Sequence, residues 1–98
     1  MISERTNKMI DVIKTMSEKD KLRLAICLAD SSMSSISYDK KEMLKIADTR
    51  LRKIDEENRT TIVNIAKYST VLITTAMITE LPLEEQNKVT MFLINSIN

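Results

Sequence analysis

The residues with chemistry to offer are few: one thiol, Cys27, and two runs of acids, Asp55-Glu56-Glu57 and Glu84-Glu85. Histidine is absent, which removes the commonest general base and a principal metal ligand. Glycine is absent as well, so the chain holds no phosphate-cradling loop, no dinucleotide fingerprint and no glycine-lined oxyanion hole. A carboxylate metal site in a helical bundle would want acids projecting inward from several helices, usually with a Glu-x-x-His pair. Here most acids fall off the apolar stripes, where they suit first-turn dipoles and solvated helix faces. Cys27 lies within the apolar run Leu24–Ala29 and reads as a buried, inert thiol. The expectation is a protein that is not an enzyme and has no cofactor and no metal.

The same absences bear on architecture. An average chain of 98 residues would hold about seven glycines, and this one holds none. Tight β-hairpins need residues at positive φ, usually Asn-Gly, Asp-Gly or Gly-X. Helices joined by short polar loops have no such need. Aromatics make up 3% of the chain, while helix-favouring Leu, Ala, Met, Lys, Glu and Arg are plentiful. With 43% apolar and 30% charged residues, a folded chain is expected rather than a disordered one. The expected fold is all-α, a compact bundle of four to five helices in one domain over 1–98.

Periodicity divides that domain into a helical pair over 2–30, a Ser-rich loop over 31–37, and helices over 39–57, 60–80 and 82–97. In the first helix Met9, Ile10, Ile13 and Met16 share a face, widened by Val12. The second helix starts at Ser17 and is apolar nearly all round from Leu22 to Ala29, which predicts a central position. Five serines between Ser31 and Ser37 mark the clearest break. Asp39 is read as the cap of the third helix, whose inward side is Met43, Leu44, Ala47, Leu51 and Ile54. A break is expected at Asn58–Thr61. In the fourth helix Ile62, Ile65, Ala66, Leu72, Ile73, Ala76 and Met77 are read as the core face. Pro82 is read as the first residue of the fifth helix, with Val89, Phe92, Leu93 and Ser96 inward and Met91, Ile94 and Ile97 beside them.

Three binding readings compete. The leading one is a small regulatory protein of the adaptor or inhibitor type that acts by protein–protein binding and forms a homodimer. Val71, Thr74 and Ile78 project away from the core face just assigned to the fourth helix, so they are the candidate self-association surface. Met33, an apolar residue in the serine loop, is the candidate partner contact. The alternative is a DNA-binding regulator with a helix-turn-helix-like arrangement, read by Lys41, Lys45, Arg52 and Arg59. Against it, Asp48, Asp55 and Glu56 share that side, and 15 basic residues against 14 acidic give a net charge of only +1. A membrane-surface helix ranks last, because tryptophan is absent and the helix faces are mixed in sign. No signal peptide is visible and no apolar run is long enough to span a bilayer, so a cytoplasmic protein is expected. The start Leu81-Pro82-Leu83-Glu84-Glu85-Gln86 is similar to helix starts in many small bacterial regulators and antitoxins; it is generic helix-start chemistry and carries no function. The small size and sparse chemistry suit a regulatory or counter-defence protein of a phage or mobile element.

Overall fold

The computed structural model describes residues 4–30, 36–54 and 69–97, and every regular element among them is helical. The helices are α1 Glu4–Thr15, α2 Glu18–Asp30, α3 Tyr38–Leu44, α4 Ile46–Ile54, α5 Ser69–Thr79 and α6 Leu83–Ile97. They form a compact all-α bundle with a radius of gyration of 12.4 Å, against about 13 Å expected for a chain of this length.

α2 is the central rod. Its residues Leu22 to Leu28 are all buried, and it packs against α3, α4, α5 and α6. This is the expected fate of a helix with apolar residues on every side. Ser17 starts it: the Asp20 backbone N–H donates to Ser17 Oγ at 3.2 Å, satisfying one of the free donors of the first turn. Arg23 is carried inside with the rest and donates to Asp20 at 2.7 Å, so its charge is paired where it is poorly solvated.

α1 lies across α5 and α6, burying Met9 and Ile13, with Ile10, Val12 and Met16 partly covered. Thr6 is buried too, and its hydroxyl donates to Glu85 Oε1 at 2.8 Å. This hydrogen bond ties the first helix to the start of the last. α6 turns Gln86, Val89, Thr90, Leu93, Ile94 and Ile97 inward. Ser96, expected inward, is exposed, and its hydroxyl donates to the Phe92 carbonyl one turn earlier.

A chain without glycine lacks the residue that most often closes a helix in the left-handed conformation. Among the described residues none has positive φ. α1 ends by tightening, with the Met16 N–H donating to Ile13 O at 3.1 Å. α5 ends the same way through Leu81 N–H to Ile78 O at 3.0 Å. From α6 the Gln86 side-chain amide donates to Thr79 O, the last carbonyl of α5, at 3.0 Å and to Leu81 O in the connection at 2.8 Å. Gln86 is only 2% exposed.

Several boundaries depart from expectation. The third helix begins at Tyr38 with Ser37 at its N-cap, and Asp39 lies in the first turn where it complements the dipole. It is interrupted at Lys45, where the backbone stays right-handed but the Lys45 N–H is shared between Lys41 O and Glu42 O. Met43, expected in the core, is 45% exposed, while Leu44, Ala47 and Leu51 are buried as read. Pro82 precedes the last helix rather than opening it: its carbonyl accepts the Glu85 and Gln86 N–H groups. The expected break at Asn58–Thr61 and most of the Ser-rich loop lie outside the described residues.

Candidate functional site

The largest departure concerns α5. Val71 and Ile78 are fully buried and Thr74 nearly so, facing the bundle at spacings of three and four residues. They are therefore core, and the self-association surface assigned to them is corrected. The opposite side, expected to be core, faces out: Leu72, Ile73 and Met77 are exposed large hydrophobics, Ile73 at 60%, and Ala76 is exposed with them. The buried side tolerates threonine because each hydroxyl bonds back into its own helix. Thr74 Oγ1 donates to Thr70 O at 2.7 Å and Thr75 Oγ1 to Val71 O at 2.8 Å. What remains to pack is a methyl group on a β-branched stem.

The outward side of α5 meets α1 across a groove of about 510 Å³. Met9, Val12, Ile73 and Met77 supply its apolar lining, and Lys8 and Asp11 stand on the α1 rim. A smaller cleft of about 220 Å³ continues it along α1 past Arg5 to Leu81, sharing Lys8, Met9 and Met77. Arg5 and Glu80 approach to 3.5 Å at this end. The result is an apolar trough flanked by charges of both signs. α1 and α5 position it, and both are held from beneath, α1 by α6 and α5 by α2.

The basic candidates are distributed differently. Lys45 is exposed and donates to Glu42 at 2.8 Å. The hydrogen bond between them holds the Glu42 carboxyl below the usual range and raises Lys45. Arg52 pairs with Asp48 at 3.1 Å, as expected from their four-residue separation. Lys41 is half-buried. The cleft of about 230 Å³ beside Lys45 is lined by Asp30 and Asp48 as well. Two acids to one base do not make the positive footprint that a phosphate backbone selects. Met33 and Arg59 lie outside the described residues.

Cys27 is buried, and among the described residues no three His, Cys, Asp or Glu side chains group as a metal site. Burial pushes the thiol above its ordinary range, a hydrogen bond with Thr75 lowers it, and the nearby Asp30 charge raises it further. A thiol reagent should modify Cys27 on the order of a hundredfold more slowly in the folded protein than in denaturant. Equal rates in the two conditions would show that the thiol is accessible. The folded state disfavours the thiolate, so the wild type should lose stability as pH rises above the ordinary thiol range. Cys27→Ala, compared by denaturant midpoints, should lack that loss.

Among the described residues no helix is long and apolar enough to cross a membrane. Comparison of the chain with protein-family models, curated proteins and solved structures found no match.

Proposed function

We propose that this chain is a small non-enzymatic regulatory protein of the adaptor or inhibitor type, acting by protein–protein binding through the α1–α5 face. One observation carries the reading: Ile73, Met77 and Leu72 stand exposed on a helix whose other side already fills the core. Apolar side chains scattered singly over a surface need no explanation, but a run along one helix beside an apolar groove marks a contact site. Covering such a run gains about 25 cal/mol for each Å² of apolar surface removed from water. The methionines at the groove add adaptability, since an unbranched thioether fits surfaces of varied shape. The mixed charges at the rim supply orientation and selectivity rather than bulk attraction.

The DNA-binding alternative gains nothing from the arrangement of Lys45 and Arg52, each engaged by a carboxylate. Affinity capture from the native host separates the two readings. The wild-type chain should bring down a defined protein, and Ile73→Asp should lose it while keeping its helical spectrum. Equal recovery by both chains, or an eluate of nucleic acid alone, would reject the α1–α5 face as the binding surface.

A further inference from the structure

Resting on the reading of this face as a protein-binding surface, we infer that the α1–α5 groove seats an amphipathic helix of a partner protein, with an acid of that helix against Lys8 and a base against Asp11. The linings give the direction of the two walls. Where α1 contributes Asp11 and Val12, α5 contributes Thr70 and Ile73. Where the trough reaches Arg5 on α1, the other wall is Met77 and Leu81. α1 and α5 therefore run antiparallel along it. The 3.5 Å approach of Arg5 to Glu80 marks the end where α1 starts and α5 stops. From Arg5 to Val12 the α1 wall is about two turns long, or roughly 10 Å, a length that a short helix covers.

The walls decide what kind of segment can lie there. Helix faces offer an incoming chain no row of unpaired backbone groups, and among the described residues no strand supplies an edge. The buried hydroxyl of the lining, Thr74 Oγ1, already donates to Thr70 O inside α5. An extended segment pressed onto Met9, Val12, Ile73 and Met77 would leave its own inward N–H and C=O groups without partners. A helix closes those groups within itself and presents side chains alone. Apolar residues three and four apart on the incoming helix then meet Ile73 and Met77, which have the same spacing. Charge sets its flanks. Lys8 and Asp11 are exposed on the α1 wall, and neither enters an ion pair among the described residues. The α5 lining of the same groove carries no charge. The partner helix accordingly holds its acid and base on one flank and uncharged residues on the other.

Selection on the full chain from a displayed library of random peptides of about 15 residues, long enough to form a helix when bound, tests the assignment. Peptides selected on wild type should carry apolar residues at i, i+3 or i+4, and i+7. They should gain a helical spectrum on binding and lose about tenfold or more in affinity on Ile73→Asp. Lys8→Glu should weaken them about fivefold, and selection repeated on that variant should bring up a base where wild type selects an acid. Lys8, Asp11 and Ile73 are exposed, so these variants should keep the helical spectrum of wild type. Selected peptides of alternating or proline-rich pattern that still depend on Ile73 would overturn the helix and leave the protein-binding face standing. Helical peptides indifferent to both Lys8→Glu and Asp11→Lys would overturn the placement of the charges. No selected peptide at all, or peptides indifferent to Ile73→Asp, would reject the face itself. A wild type that dimerises in sedimentation and becomes monomeric on Ile73→Asp would give the groove to a second copy of this chain and overturn the assignment likewise.

Discussion

Aspartate at Val71 or Ile78 should abolish the folded state, whereas aspartate at Ile73, on the same helix, should leave the far-ultraviolet spectrum helical. Val71 and Ile78 are fully buried among apolar neighbours, and Ile73 is 60% exposed. A carboxylate at either inner position would lose its hydration with no cation built to meet it, and the lost methyl groups would leave a void. Together these cost on the order of 5 kcal/mol, comparable to the whole stability of roughly 5–15 kcal/mol that a domain of this size holds. At Ile73 the new charge stays in water and costs little beyond a small change in helix propensity. Circular dichroism of the three variants decides the matter. Folded Val71→Asp together with unfolded Ile73→Asp would mean that α5 is rotated from the orientation described, and the α1–α5 groove would go with it.

The contrast between α2 and α5 shows what a sequence can and cannot reveal here. In α2 the apolar residues run from Leu22 to Leu28 on every side, and full burial follows from composition alone. In α5 apolar residues and threonines also surround the helix, but only one side finds a partner. Counting apolar residues favours Leu72, Ile73, Ala76 and Met77, which have the greater bulk. The bundle selects Val71, Thr74 and Ile78 instead, with the Thr74 hydroxyl satisfied inside its own helix. Packing against α1, α2 and α6 makes that choice, and no periodicity within α5 encodes it. A second apolar side on this helix was legible; which side remained outside was not.

Other features were hidden for related reasons. Nothing at Lys45 breaks a helix by propensity, and the interruption shows only in the shared hydrogen bond of its N–H. Lys8 and Asp11 resemble any pair on a solvated helix face until α1 is known to lie beside α5. Their neighbours across the groove, Ile73 and Met77, are more than sixty positions away in the chain. What the missing glycine did convey was class: an all-α bundle, in which the described residues close α1 and α5 without a left-handed residue.

That closure is concentrated at Gln86, and replacing it should be among the most damaging changes to a polar residue. Its amide donates to Thr79 O and Leu81 O from a site that is 2% exposed. Gln86→Ala strands two carbonyls and opens a void, at about 3 kcal/mol in all. For a domain of this size that is a fall in Tm of roughly 12–24 °C. Gln86→Leu keeps most of the volume and removes the polar amide, so it should lie between wild type and Gln86→Ala. Gln86→Glu should be the most pH-sensitive of the three. A protonated carboxyl can still donate to one carbonyl, but a carboxylate there faces two acceptors with no proton to share. The folded state would therefore hold that proton more tightly than the unfolded chain does. Stability should be greatest in acid, below the ordinary glutamate range, and decline as pH rises through the raised folded-state value. Thermal melts of the three variants from pH 3 to pH 8, each read against wild type at the same pH, provide the check. A Gln86→Glu protein that grows more stable relative to wild type as pH rises would show that the amide is not the donor closing α5.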